Sequence, residues 1–268
     1  GVTYGLTLTN GKFATIDGDS RGIDLSGVSD TSQQSKITND GTINGDIAII
    51  GGAERENVTN HGTINGNVQL GAGSDVFDGS GGTVNGVVQG GDDNDTYIVD
   101  STDINLQEQA TGGTGDTVES TVSYTLHANF ENLFLLGTAK INGIGNAEAN
   151  NIHGNNAANT LRGRDGEDLL FGGKGDDILF GGAGSDHFVF EKGFGDDTIR
   201  DFAAAGNQHD VIDLSDIASI ANFSDLMKHH IEEHKHDLII DAGHGNTITL
   251  HDVDKGDLHA NDFLFVAN

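Results

Sequence analysis

The sequence predicts an all-β fold, a right-handed parallel β-helix/β-roll solenoid with a C-terminal cap that contains one short helix. Three observations predict it: a nine-residue repeat, a second repeat of about 20 residues, and a composition suited to tight turns. The 268 residues include 41 glycines and no proline, tryptophan or cysteine. With few aromatic residues and no disulfides, such a chain needs many thin layers that each bury a few apolar side chains.

The nine-residue repeat runs without a gap through five units between Gly145 and Val189. In every unit the first position is glycine, the sixth is Asp or Asn, and the eighth is apolar. The sixth positions are Asn150, Asn159, Asp168, Asp177 and Asp186. Because glycine tolerates positive φ, we expect the first six residues to reverse the chain and the last three to form a short strand with its central side chain in the core.

Three further units carry the same columns outside this run. Their ranges and sixth positions are Lys192–Arg200 with Asp197, Leu70–Asp78 with Asp75, and Gly90–Ile98 with Asp95. The first lies two residues out of phase with the five. The other two are expected to be isolated, without a stacked neighbour of the same type. Asp75 and Asp95 are therefore candidate metal ligands for which a role as turn residues is somewhat favoured.

The longer repeat occupies the N-terminal part. Its phrase begins at Gly41, Gly62 and Gly82 and reads Gly-Thr-Ile-Asn-Gly twice and Gly-Thr-Val-Asn-Gly once. Alternating β-branched residues interrupted by Asn and Gly predict short strands and turns, with one coil per repeat. We therefore expect a parallel β-helix with irregular connecting coils over 1–142, a β-roll over 143–200, and a cap over 201–268.

The cap carries the one helix candidate. Asn222 suits an N-cap with Asp225 three residues later, and strands are predicted at Leu238–Asp241 and Thr247–Leu250. The sequence His-Ile-Glu-Glu-His from His230 to His234 is expected to lie on this helix.

The charge balance limits the partners. Acidic residues outnumber Lys and Arg by 42 to 13, which gives a formal net charge of −29. This excludes nucleic acid and anionic membrane surfaces and favours cations. No apolar run approaches the roughly 18–20 residues of a membrane span. Carboxylate and carbonyl oxygens, the ligands such turns offer, suit calcium better than magnesium or zinc.

The nonapeptides resemble the repeats-in-toxin (RTX) family, whose unit is G-G-x-G-x-D-x-U-x with U a large apolar residue. The last three units fit the pattern, whereas the first two depart from it at their second and fourth positions. The resemblance implies several Ca²⁺ ions between units i and i+2, which pairs Asp168 with Asp186, Asp177 with Asp197, and Asn159 with Asp177. The implied ligands are carbonyls and sixth-position side chains, with weaker sites in the Asn units: Gly166, Gly173, Gly175, Gly182, Gly184, Asp168, Asp177, Asp186, Asp197, Asn159 and Asn150.

The tail resembles the C-terminal region of serralysin-type proteases and other type I secretion substrates. The phrases that carry this resemblance are FGDDTIRDF, DVIDLSDI and the closing DFLFV. It implies an uncleaved C-terminal export signal and a bacterial protein that is secreted, extracellular or on the cell surface.

Two catalytic motifs occur but lack their structural context. Gly18–Gly22 matches the G-x-S-x-G nucleophile elbow, yet a strand and turn, not a helix, is predicted after it. His230–His234 matches an inverted zinc-protease motif, but no distant helix is predicted to supply a third ligand. The serralysin zinc signature H-E-x-x-H is absent. We therefore expect a protein that is not an enzyme.

The expected role is structural, matrix, surface-layer or adhesive, with the chain itself or a cell-surface or matrix polysaccharide as partner. The alternative is a C-terminal calcium-binding and secretion module of a larger secreted protease, lipase or polysaccharide-modifying enzyme. A carbohydrate-binding groove is a third hypothesis, which the scarcity of aromatic and cationic residues disfavours.

Overall fold

The computed structural model describes residues 5–28, 32, 34–204 and 209–266. The chain divides into two compact units, Gly1–Val122 with His127–Asn132, and Ser123–Leu126 with Leu133–Asn268. Each unit is built from parallel strands that stack coil on coil, so the predicted all-β solenoid is confirmed.

The first unit contains thirteen strands in the described residues: β1 (Thr7–Asn10), β2 (Thr15–Asp17), β3 (Arg21–Asp24), β4 (Gln34–Asn39), β5 (Thr42–Ile50), β6 (Arg55–Asn60), β7 (Thr63–Ala72), β8 (Val76–Asp78), β9 (Thr83–Asn85), β10 (Val87–Asp92), β11 (Thr96–Val99), β12 (Asn105–Gln107) and β13 (Thr117–Ser120). One wall has the order β1-β4-β6-β8-β11-β13, and the other has β2-β5-β7-β10-β12 with β3 beside β5 and β9 beside β7.

The core of the first unit is built from columns of buried side chains. On the first wall, Ile37, Val58, Phe77, Tyr97 and Val118 occupy matching positions of successive parallel strands. All five are fully buried. Each coil therefore buries a few apolar residues against the next, as a solenoid requires.

A buried asparagine ladder explains the repeated Thr-Asn phrases of this unit. The Asn10 side-chain nitrogen donates to Asn39 Oδ1 at 2.8 Å, and the Asn39 nitrogen donates to Asn60 Oδ1 at 2.7 Å. Because each amide both donates and accepts, asparagine at the same corner of three successive coils satisfies its neighbours.

The second unit contains the remaining strands, with the first residue of β15 lying in the first unit: β14 (Tyr124–Thr125), β15 (Asn132–Leu135), β16 (Gly143–Ile144), β17 (Asn151–His153), β18 (Thr160–Asp165), β19 (Leu169–Phe171), β20 (Ile178–Ala183), β21 (His187–Val189), β22 (Asp196–Ile199), β23 (Val211–Leu214), β24 (Ile231–His234), β25 (Asp237–Gly243), β26 (Asn246–Leu250) and β27 (Phe263–Phe265). The walls are β15-β17-β19-β21-β23-β27 and β14-β16-β18-β20-β22-β26-β25-β24.

Successive nonapeptides of the second unit lie on opposite walls. Ile152 pairs with Leu170 on one wall, and Leu161 pairs with Leu179 on the other. Two nonapeptides therefore make one coil. Ile199 of the displaced sixth unit pairs with Leu179, so the two extra residues are absorbed in the turn and the core register is kept.

The cap differs from its prediction in one respect. The Asn222 side chain accepts from the Asp225 N–H, as predicted, but the α-helix α1 is only Phe223–Asp225 and continues as one π-helical turn, Leu226–His230. Ile231–His234 forms strand β24, antiparallel to β25. The expectation that the His-Ile-Glu-Glu-His segment lies on a helix is wrong, because hairpin pairing satisfies its backbone instead.

Two 3₁₀ turns, Lys255–Asp257 and Ala260–Asp262, complete the cap. The helices of the described residues are all too short to cross a bilayer.

Candidate metal centre

The sixth-position side chains of the second unit form two ladders, one on each side of the coils, because successive nonapeptides lie on opposite walls. The Asp168 N–H donates to Asp186 Oδ1 at 2.9 Å, and the Asp177 N–H donates to Asp197 Oδ1 at 2.8 Å. The Asn159 N–H donates to Asp177 Oδ1 at 2.7 Å. The structure thus brings together all three pairs predicted from the i, i+2 rule.

The other oxygen of each of these carboxylates has no partner. Oδ2 is buried and makes no hydrogen bond in four of them, Asp168, Asp177, Asp186 and Asp197. The four residues are at most 1% exposed. A buried unpaired carboxylate oxygen is costly, and in native proteins it indicates a missing partner such as an ion. The donor set therefore fits calcium, which takes carboxylate and carbonyl oxygens.

The electrostatics of the ladders agree with this interpretation. Burial raises the pKa of Asp168 and Asp177 to about 7 and that of Asp197 to about 8. The hydrogen bond that each carboxylate accepts from a backbone N–H acts in the opposite direction and lowers the pKa. Burial also raises the pKa of Asp186. The ionised carboxylates are thus poorly stabilised by the protein alone. A bound cation supplies the charge that would keep them ionised.

The predicted carbonyl ligands occupy turns that only glycine fits. Gly182 and Gly184 have φ of +108° and +150°, and a Cβ atom would lie 1.8 Å from the Arg164 carbonyl oxygen and 1.7 Å from the Gly166 carbonyl oxygen, respectively. Carbonyls of neighbouring coils therefore approach the same turns. Positive φ is shared by all five predicted ligand glycines, Gly166, Gly173, Gly175, Gly182 and Gly184.

The two Asn units are built differently from the Asp units. Asn150 Oδ1 accepts from the N–H of Asn146, and Asn159 Oδ1 accepts from the N–H of Asn155. The Asn159 side-chain nitrogen donates to the Ile141 carbonyl at 2.6 Å. A neutral amide that closes its own turn offers less to a cation than an ionised carboxylate. Metal binding at these two residues stays a prediction.

The first unit carries a carboxylate ladder of its own, which the sequence interpretation missed. The Asp75 N–H donates to Asp95 Oδ1 at 2.8 Å, the Glu56 N–H donates to Asp75 Oδ1 at 2.7 Å, and the Asp95 N–H donates to Asp116 Oδ1 at 2.8 Å. The expectation that Asp75 and Asp95 are isolated is wrong, because coils of 19 to 21 residues place these acids at one corner.

The carboxylate ladder of the first unit has the same chemistry as the ladders of the second unit. Oδ2 of Asp75 and of Asp95 is buried and unpaired. Burial raises the pKa of Asp75 to about 9 and that of Asp95 to about 8. The acidic residues at these intervals, Glu56 and Asp116, were the sequence signal that could have revealed it.

The residues of the catalytic motifs stay apart from any such ladder. Ser20 lies in the turn between β2 and β3, with a strand and not a helix after it. His230 Nδ1 contacts the Asp241 carbonyl oxygen at 2.7 Å. Within the described ranges, the only histidine in a group of three potential ligand side chains is His251, with Asp237 and Asp252, and that group is partly exposed.

A comparison with protein-family models agrees with the ladders of the second unit. A family model described as the RTX calcium-binding nonapeptide repeat matches residues 144–188 in four copies. No curated protein matches the chain. Among solved structures, the extracellular lipase LipA from Serratia marcescens is similar at 17% identity and a TM-score of 0.34. The match covers 91% of this chain and 42% of that one, so the chain spans less than half of the lipase's length. Residues 144–188 are RTX calcium-binding nonapeptide repeats.

Proposed function

We propose that this chain is a secreted, non-enzymatic calcium-binding solenoid that folds on calcium outside the cell. It then serves a structural, matrix, surface-layer or adhesive role, with itself or a surface polysaccharide as partner. The observation that carries the proposal is the column of buried carboxylates whose second oxygen has no partner, present in both units. These side chains are placed to hold cations and are poorly stabilised by the protein alone.

Calcium would act on folding, because the ligands of one ion come from different coils. In the unfolded chain they are far apart in sequence, so binding energy becomes folding energy. A net charge of −29 opposes a compact ion-free chain, and bound cations offset that repulsion. The chain would therefore stay unfolded during export and close outside the cell.

Secretion is supported by the tail. The three phrases that resemble type I secretion substrates form or adjoin strands β22, β23 and β27. The same resemblance favours the alternative, in which the chain is the calcium-binding and secretion module of a larger secreted enzyme. The sequence encoded upstream of Gly1 would distinguish the two proposals, because a catalytic domain there would favour the module of a larger enzyme.

The test of the proposed function is folding across the calcium range. At roughly 10⁻⁷ M free calcium, the range of cytosolic sensors, we expect little strand structure, and at about 10⁻³ M, the range of extracellular modules, a folded chain. Far-UV circular dichroism at pH 7.5 measures this, with magnesium at the same concentration as the control that should not restore the signal. A strand signal that is equal at both calcium concentrations would refute calcium-dependent folding.

A further inference from the structure

Three acidic side chains of the first unit converge inside the coil stack, outside the nonapeptide run of residues 144–188. Asp95, Glu108 and Asp116 each offer a carboxylate oxygen, and these oxygens all lie within 4.8 Å of one another. The three residues are 1%, 8% and 1% exposed. They precede β11, follow β12 and precede β13, so three successive chain segments contribute to the cluster.

Glu108 is held in place by donors. Its Oε1 accepts from the Gly90 N–H at 3.1 Å and from the Tyr97 hydroxyl, and its Oε2 accepts from the Gly91 N–H at 3.4 Å. Asp116 Oδ1 accepts from the Asp95 N–H. These donors fix the position of the buried Glu108 carboxylate in the cluster.

One carboxylate oxygen of the cluster lacks a hydrogen-bond partner and is directed toward Glu108. Asp95 Oδ2 is buried without a hydrogen-bond partner. A Cβ atom at Gly90 would lie 1.9 Å from Asp95 Oδ2 and 2.4 Å from the Tyr97 hydroxyl oxygen. The unpaired oxygen is therefore directed to the side where Gly90 and Tyr97 hold Glu108.

The cluster has no counter-charge of its own. In the part of the chain that the structure describes, none of the ion pairs includes these three carboxylates. Three negative carboxylates this close in a buried place repel one another, and a bound cation would offset that repulsion. The oxygen-only donor set favours calcium over zinc.

We propose that Asp95, Glu108 and Asp116 form a calcium site that lies outside the nonapeptide run of residues 144–188 and fills at lower calcium concentration. Ligand charge tunes calcium affinity, and this cluster gathers three carboxylates around one place. The proposal uses the calcium chemistry of the proposed function but does not depend on calcium-driven folding of the repeats. Tyr97, which donates to Glu108, is a positioning residue of the site.

Terbium luminescence tests this site selectively. Terbium ions replace calcium at oxygen sites and emit when a nearby excited tyrosine transfers energy to them. The chain has three tyrosines and no tryptophan, and Tyr97 touches the cluster. We expect tyrosine-sensitised emission from the full chain, displaced by calcium at a lower concentration than the one that completes folding.

Three variants show whether that emission comes from terbium bound at the Asp95, Glu108 and Asp116 cluster. Tyr97→Phe should remove most of it while directly excited terbium still binds. Glu108→Gln should weaken terbium binding and raise the displacing calcium concentration about tenfold, which is the effect of roughly one lost ligand interaction. Glu119→Gln, the same change on β13 outside the cluster, should match the unchanged chain.

Each outcome decides the proposal. Equal emission and equal calcium displacement in Glu108→Gln and Glu119→Gln would overturn the site, and so would full emission from Tyr97→Phe. If circular dichroism shows that Glu108→Gln does not fold at millimolar calcium, the Tyr97→Phe result still decides. If the chain folds on calcium but gives no Tyr97-dependent emission, only this site is refuted. If the chain folds without calcium and still gives the emission, only calcium-dependent folding is refuted.

Discussion

In chelator, the metal-free chain is expected to be more stable at pH 5 than at pH 8, the reverse of ordinary acid denaturation. Burial raises the pKa of Asp75 to about 9, of Asp95 and Asp197 to about 8, and of Asp168 and Asp177 to about 7, from 3.8 in the unfolded chain. Between those values the folded state binds more protons than the unfolded state. Its stability is therefore complete below about pH 4 and is lost as the pH rises through 7 to 9.

Calcium should reverse this dependence. Protons and calcium compete for the same oxygens, so the calcium concentration at the folding midpoint should rise as the pH falls below about 7. Urea unfolding followed by circular dichroism at pH 5 and pH 8, each in chelator and in calcium, measures both effects. A metal-free chain that is more stable at pH 8 would show that the ladder carboxylates are not the groups that control folding.

Asp177→Asn should raise the calcium midpoint of folding by about tenfold or more, since about 1.4 kcal/mol is a factor of ten. Asp177 belongs to two stacked pairs: it accepts from the Asn159 N–H and donates its own N–H to Asp197. The amide can keep the Oδ1 hydrogen bond but replaces the unpaired charged oxygen. Two sites therefore lose a carboxylate through one change.

Two controls make this result specific. Asp176→Asn removes the same charge one residue earlier, on an exposed side chain, and should shift the midpoint little. Asn150→Ala should also have the smaller effect, since Asn150 is a neutral amide that accepts within its own turn. Equal shifts in Asp176→Asn and Asp177→Asn would mean that net charge, and not the stacked pairs, sets the midpoint. An equal shift in the uncharged control Asn150→Ala would refute the double role of Asp177.

The second unit could be predicted closely because its repeat has a fixed length. Nine residues per half-coil place Asp168 below Asp186 and Leu161 below Leu179, and the structure has both pairings. The out-of-phase Asp197 was also placed correctly beside Asp177. Glycine at fixed offsets leaves the turn few alternatives, so register follows from counting.

The first unit and the cap were harder to predict because their spacing varies. Glu108 and Asp116 belong to coils without the nonapeptide columns. Their positions in the coil stack can be predicted only when the length of each coil is known. The His230–His234 segment has helical spacing of its ligands, but strand pairing with β25 prevails over it. Local pattern decides a structure only where tertiary pairing does not compete.

The central claim is that the unpaired Oδ2 atoms of the ladders bind calcium. A crystal structure of the full chain grown in calcium, with the anomalous signal of calcium recorded, tests it most directly. We expect ions at about 2.3–2.6 Å from Oδ2 of the second-unit carboxylates, with glycine carbonyls completing each site. Oδ2 atoms that contact only water, or that share a proton with a neighbouring carboxyl group, would contradict the account.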